Sequence, residues 1–331
     1  MSRLRIVSPI PSGCGAYALH KQLEQSLDGY RVAPYNPWMT LFPPALLLSG
    51  RRMAADIVHT TPDYAPFLSR RDTPLIVTIH HTMLDDFIQH YSSALQRLHY
   101  KTDLRWCSQW AMNHADVITA VSQFSADLAK KSLNIQKDIR VINNGIDANV
   151  FTPGFSRKEG QRIRVLFTGN LTRRKGAHWL EPIAERLNDG VEIVYTQGLR
   201  TTKTRLPEHP KLRCLGNVAY QSLPDLYRQA DIFLFPSVRE GFGLAVAEAM
   251  ACGLPAVVTN GSALPELIHH GQGGYLCPVG DVDAFAEKIN QLADSPALRL
   301  TMGAYNRNRI EQSFSLEKMI AGYRDLFECT I

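Results

Sequence analysis

The chain has 331 residues, a net charge of +5, and 45% hydrophobic against 20% charged residues. That length holds about two domains of ordinary size, and the composition excludes a globally disordered chain. No apolar run reaches the ~18 residues of a spanning helix, and no basic block of the kind a nucleic-acid arm needs is present, so no nucleic-acid partner is expected.

Met1–Ser8 enters a strand directly, without the apolar core and cleavage site of a signal peptide, which predicts a cytoplasmic protein. Short β-branched runs then recur along the first half at Leu4–Ser8, Arg31–Ala33, Asp56–His59, Leu75–His80, Val117–Val121 and Arg140–Asn143. The second half repeats the pattern at Ile163–Phe167, Val191–Thr196, Lys211–Leu215, Asp231–Phe235, Pro255–Thr259 and Gly274–Cys277. Helical periodicity fills gaps between them, at Gly15–Leu27, Ser122–Leu133, Lys175–Leu187, Leu223–Gln229 and Val282–Leu292. Alternating β and α elements predict parallel sheets buried on both faces, and the alternation starts twice.

The restart falls at Asp147–Gln161, where Pro153 and Gly154 precede polar, charged residues and read as a linker. The expected organisation is an N-terminal domain over 1–155, a C-terminal domain over 156–313, and a final helix, 314–331, returning to the first domain. Ligands of doubly wound sheets sit at the carboxyl ends of the strands, so the expected site is a cleft between the two domains. The cysteines at 14, 107, 214, 252, 277 and 329 show no C-x-x-C spacing and read as small buried hydrophobes rather than metal or disulfide pairs.

The most informative stretch runs from Phe235 to Gly253. A strand ends, Glu240 follows in a short loop, then Gly241, Phe242 and Gly243 lead into a helix starting near Leu244 that carries Glu248. Glycines allow close backbone approach, and the unpaired N–H groups of a helix start favour an anion such as a diphosphate. Carboxylates beside such a cradle suit hydroxyl groups instead, as in a ribose or hexose.

With the run E-A-M-A-C-G-L-P, this stretch resembles the bacterial-type retaining glycosyltransferases of family 4, which have the GT-B fold. Val141–Asp147 with Phe151 and Pro153, Ala115–Ser122, Gly169–Gly176 and Phe314–Tyr323 resemble family segments in the same order. The resemblance implies an α/β protein with two facing Rossmann-like domains. It also implies retaining transfer of a hexose from GDP-mannose or a UDP-hexose to a saccharide or lipid-linked acceptor in glycan biosynthesis. Neither a metal nor a cofactor is implied beyond the nucleotide sugar as co-substrate.

The resemblance assigns Glu240 to the sugar hydroxyls, Glu248 to the ribose, and Lys175 to the diphosphate, with Gly241, Phe242, Gly243 and Leu244 around it. Where the family has an arginine this chain has Asn170, and Arg173 or Arg174 is the expected replacement cation. Ile76–His81 resembles the family's V-x-T-x-H, which puts His80 against the transferred sugar, with His81 as competitor. Gly13 and Gly15 also fit a dinucleotide fingerprint, but no acid ends the second strand, which counts against a nicotinamide enzyme. Under the resemblance these glycines approach the donor phosphate or the acceptor instead.

Four further features complete the reading. Asp281-Val282-Asp283 reads as a helix cap rather than a metal pair. Glu266 reads either as a cap or as a neighbour of the nucleotide. Asp85 and Asp86 read as a solvated helix start, the alternative being contact with an acceptor. Trp38–Leu48 with Arg51 and Arg52 reads as a core helix under the first sheet; the alternative is a patch facing the inner leaflet of the cytoplasmic membrane. A GT-B sugar-nucleotide epimerase and a non-catalytic sugar-nucleotide binder remain the competing functions.

Overall fold

A computed structural model describes residues 4–13, 15–81, 85, 93–154, 162–198, 201 and 204–331. Cys14, Asp86 and the linker residues 155–161 lie outside that range. The chain forms two compact units, residues 1–144 with 317–331, and residues 145–316.

In the first unit, β1 (Ile6–Pro11), β2 (Tyr30–Tyr35), β3 (Ile57–Thr60), β4 (Leu75–Ile79), β5 (Val117–Ala120) and β6 (Ile139–Val141) form one parallel sheet in the order β2-β1-β3-β4-β5-β6. β3 and β4 are buried at every position, as their unbroken apolar runs require when helices cover both faces. The helices are α1 (Gly15–Ser26), α2 (Ala65–Leu68), α3 (Ala94–His99), α4 (Arg105–His114) and α5 (Gln123–Leu133). Ser122 caps α5 by accepting from Ser125 N–H, and Asn134 ends it in the left-handed conformation.

The second unit repeats the plan with β7 (Ile163–Phe167), β8 (Val191–Tyr195), β9 (Leu212–Cys214), β10 (Ile232–Phe235), β11 (Ala256–Thr259) and β12 (Gly274–Cys277), ordered β12-β11-β10-β7-β8-β9 and parallel throughout. Its helices are α6 (Leu180–Glu185), α7 (Leu223–Arg228), α8 (Leu244–Ala251), α9 (Leu264–Leu267), α10 (Val282–Ala293) and α11 (Pro296–Ser313). A contiguous core of Val165, Phe167, Leu180, Ile193, Leu234, Phe285 and Ile289 fills one side of the sheet.

A last helix, α12 (Leu316–Glu328), belongs to the first unit. Its Tyr323 and Phe327 are buried against the His59 and Tyr30 rings, and the Tyr323 hydroxyl lies 3.3 Å from Thr78 Oγ1.

Several expectations need correction. The units divide at Asn144, not at residue 155. Residues 147–154 are not a loose linker: Asp147 Oδ1 accepts from Asn149 and Val150 N–H, Phe151 is buried, and Arg307 donates to the Ala148 and Phe151 carbonyls. The helix expected over Lys175–Leu187 is broken, because Gly176 takes a φ of 74° and leaves Lys175 on a 3₁₀ turn. A Cβ at Gly176 would lie 2.2 Å from the Pro236 carbonyl oxygen, so only glycine fits there.

Trp38–Leu48 is not a core helix. Pro37 and Pro43 start two 3₁₀ turns that bury only Leu46, leaving Trp38, Leu41, Phe42 and Leu48 at 68–80% exposure. Asp85 is buried rather than solvated. Glu266 is not the N-cap of α9, which is Ala263; it lies in the first turn. Asp281 does cap α10, accepting from Ala284 N–H.

Candidate functional site

In the second sheet the chain order reverses between β7 and β10, and a crevice opens outside the carboxyl ends of strands at such a point. The loops leaving those two strands carry Asn170–Lys175 and Ser237–Gly243. Val238 N–H donates to the Arg174 carbonyl and ties them together.

Lys175 is held by its turn, whose cap Thr172 accepts from Lys175 N–H. Its Nζ reaches Glu240 Oε1 at 2.5 Å and lies 4.9 Å from the centroid of the Phe235 ring. The Ser237 hydroxyl donates to the same Glu240 oxygen, and Glu240 N–H donates to Ser262 Oγ at 3.0 Å. Ser262 is a non-glycine residue at a φ of 54°, a strained conformation kept where its hydroxyl meets the Glu240 backbone. Burial opposes the charge on Glu240, but Lys175 and Arg174 outweigh it and hold the carboxyl below its usual range.

Of the two candidate replacement cations, Arg174 is half-buried, donates to the Arg239 carbonyl and acts on Glu240, whereas Arg173 is exposed. Asn170 underlies the loop: its carbonyl accepts from Thr172 N–H, and its side chain sits against Gly198.

Gly243 caps α8 at a φ of 104°, and a Cβ there would press Leu264 and Leu267. Val246 and Ala247 N–H both reach back to the Gly243 carbonyl, while the N–H groups of Leu244 and Ala245 precede the first intrahelical bond. Gly241 and Phe242 are buried just before them. The Phe242 ring packs on Phe314, so its side chain serves the core.

Glu248 lies inside α8, 6% exposed. Its carboxylate accepts from Tyr227 at 2.9 Å and Tyr220 at 3.3 Å. Burial pushes its pKa up to about 7, although the two hydroxyls pull the other way.

The remaining candidates belong to the first unit. Gly13 has a φ of 72° in the exposed turn after β1, and Gly15 opens α1; a side chain at either would meet open space. His80 follows β4 with its Nε2 out of solvent and without a hydrogen-bond partner among the described residues. Burial lowers its pKa to about 4, so the ring is neutral near pH 7.

Sequence reasoning missed a buried polar belt beside His80. Ser8 Oγ and the Tyr30 hydroxyl each lie 2.7 Å from His20 Nδ1, Tyr30 also meets His59 Nδ1 at 2.8 Å, and His59 Nε2 meets Thr78 Oγ1 at 2.7 Å. The His20 ring centroid lies 5.6 Å from that of His80. Tyr220, Tyr227, Ser237 and Ser262 were also missed. Only Ser237, three residues before Glu240, had a sequence signal.

Residues 5–150 match the description Glycosyltransferase Family 4, and residues 162–295 match Glycosyl transferases group 1. The chain belongs to the family 4 glycosyltransferases. Its GT-B fold is that of Anabaena HepE in complex with UDP and glucose, with a TM-score of 0.77 at 19% identity over 98% of this chain and 99% of that one. Sucrose-phosphate synthase from Thermosynechococcus elongatus superposes at 0.80 and 17% identity, over 98% and 100% of the two chains.

Among curated family 4 relatives, N-acetyl-alpha-D-glucosaminyl L-malate synthase of Bacillus anthracis is 27% identical over 66% of this chain and 61% of its own length. MMP alpha-(1->4)-mannosyltransferase of Mycolicibacterium hassiacum is 26% identical over 87% and 74%. This glycosyltransferase-family chain matches about three fifths of the length of the first of these. Among the described residues, no helix is long and apolar enough to cross a membrane, and no cluster of three His, Cys, Asp or Glu is placed to hold a metal.

Proposed function

We propose that this protein is a retaining glycosyltransferase that moves a hexose from a nucleotide-diphosphate sugar to a saccharide or lipid-linked acceptor. The observation carrying this reading is the meeting of Lys175, Glu240 and the α8 N-terminus at the β7/β10 reversal. Solved relatives of the same fold hold UDP and UDP-glucose, which supports a nucleotide sugar as donor.

Charge builds on the diphosphate as it departs. Lys175, Arg174 and the first N–H groups of α8 are the groups to meet it. Glu240 accepts from the sugar hydroxyls, Glu248 from the ribose diol, and neutral His80 contacts the transferred sugar. The acceptor hydroxyl gives its proton to the leaving phosphate. The reading includes no metal and no covalent sugar–enzyme intermediate.

The first unit offers a surface for the acceptor's environment. Trp38, Leu41, Phe42 and Leu48 are exposed on turns anchored by Leu46 in a cluster with Tyr64 and Leu68. Leu95, Leu98 and Trp106 are exposed on α3 and α4 beside it, with the Tyr64 hydroxyl 3.4 Å from His99 of α3 and the Phe67 ring 6.5 Å from Trp106. Exposed Arg51, Arg52, Arg97, Lys101 and Arg105 accompany them. Apolar side chains among cations suit an anionic bilayer surface, so the enzyme is read as cytoplasmic and peripheral on the inner leaflet.

The test is incubation with UDP- and GDP-sugars, with and without saccharide and lipid-linked acceptors, reading nucleotide release and the anomeric signal of the product by NMR. Acceptor-dependent release with retained configuration is expected. Sugar conversion without acceptor identifies an epimerase, and binding without turnover identifies a non-catalytic module; either overturns the reading.

A further inference from the structure

The two groups assigned to opposite ends of the donor hold each other. Lys175 Nζ is 2.5 Å from Glu240 Oε1, and the side chains of the pair are only 17% and 12% exposed. Ser237, itself fully buried, donates to that same oxygen. An oxygen shared by an ammonium and a hydroxyl has little capacity left for a sugar hydroxyl. An ammonium closed on a carboxylate is likewise poorly free for a phosphate.

We propose that the Lys175–Glu240 pair is an exchangeable latch: the donor diphosphate takes Lys175 as its counter-ion and thereby frees Glu240 to accept from the sugar, while Ser237 keeps the carboxylate aimed. This rests on the donor reading given above. The exchange swaps one anion for another around the same ammonium, so Lys175 is never left buried without a partner, and the more highly charged diphosphate wins. Sugar recognition at Glu240 Oε1 is then conditional on the diphosphate: a free sugar meets that oxygen already occupied. Because Glu240 and the diphosphate compete for Lys175, a change at Glu240 that weakens the latch tightens diphosphate binding.

The experiment is calorimetric titration of UDP and of GDP into the full chain, as wild type, Glu240→Gln, Lys175→Met and the double variant. Glu240→Gln keeps the shape and removes the charge. It is expected to tighten nucleoside diphosphate binding roughly fivefold, at the lower end of ordinary coupling between sites. Removing a repulsive carboxylate would also tighten binding, so the double variant decides. With a latch, the gain from Glu240→Gln disappears in the Lys175→Met background. A gain that persists there, or no gain from Glu240→Gln alone, overturns the latch and leaves the donor reading standing. Failure of wild type to bind either nucleotide overturns the donor reading and the latch with it; undiminished binding by Lys175→Met takes Lys175 away from the diphosphate and overturns the latch alone. Melting curves confirm folding; should Lys175→Met not fold, the uncharged but polar Lys175→Gln replaces it.

Discussion

At the scale of single residues, Glu248 offers the sharpest pH signature. Its pKa is raised from 4.5 to about 7 by burial. A carboxyl with a raised folded-state pKa keeps its proton in the native protein while the unfolded chain has lost it. Its cost to stability therefore grows as pH climbs from about 4.5 and is complete above about 7, reaching about 3 kcal/mol. Glu248→Gln removes that cost, so its melting temperature should rise relative to wild type by several degrees between pH 5 and pH 8. Ribose hydroxyls favour the ionised form, so the donor KM should fall as pH rises from 6 to 8, and Glu248→Gln should flatten that profile. A flat wild-type profile would remove the ribose role. Glu240 and Glu248 were legible as residues because a glycine-flanked helix start announces them. Lys175 was legible as a residue for the diphosphate but not as the partner of Glu240, and Tyr220 and Tyr227 were not legible at all: all three come from other segments, and only the folded sheet brings them to the two carboxylates.

At the scale of elements, the central strands were readable because parallel strands covered on both faces must be continuously apolar, and β4, β10 and β11 are buried at every position. Reading failed where an apolar run does not mean burial. In Trp38–Leu48 the prolines impose 3₁₀ turns that can tuck in one side chain while the rest remain outside. The Lys175 helix failed for a local reason as well: Gly176 must pass close to the Pro236 carbonyl, and the helix cannot propagate through its left-handed φ. The exposed turns yield a direct expectation. The triple variant Trp38→Ser, Leu41→Ser, Phe42→Ser should lose binding to vesicles containing anionic lipid by tenfold or more in co-sedimentation, since each large apolar side chain contributes about 1.5–3 kcal/mol when buried. Its melting temperature should hardly move, because these side chains are already in solvent. Unaltered vesicle binding would remove the membrane from this face.

At the scale of the whole molecule, the chain builds its first unit from two pieces and its second from one, residues 145–316. The final piece, α12, covers a sheet face that carries an unusual amount of polarity. Ser8, His20, Tyr30, His59, Thr78 and Thr119 are all buried there and bonded to one another in sequence. Burial lowers the His59 pKa to about 3, with His80 adding to the effect, so the belt stays neutral at ordinary pH. Such a belt is stable only while water is kept out and every partner is in place. Tyr323 and Phe327 close it, and each of these large aromatics contributes about 3 kcal/mol or more against truncation to alanine. Ending the chain at Leu316 should therefore unfold the first unit selectively. Hydrogen exchange followed by mass spectrometry should show β1, β3 and β4 losing protection, while β7, β10 and β11 keep theirs. The Tyr323→Ala, Phe327→Ala pair in the full-length chain should reproduce the effect in weaker form. Loss of protection spread evenly over both sheets would show instead that α12 supports the two units alike, and that the chain has one cooperative core rather than two.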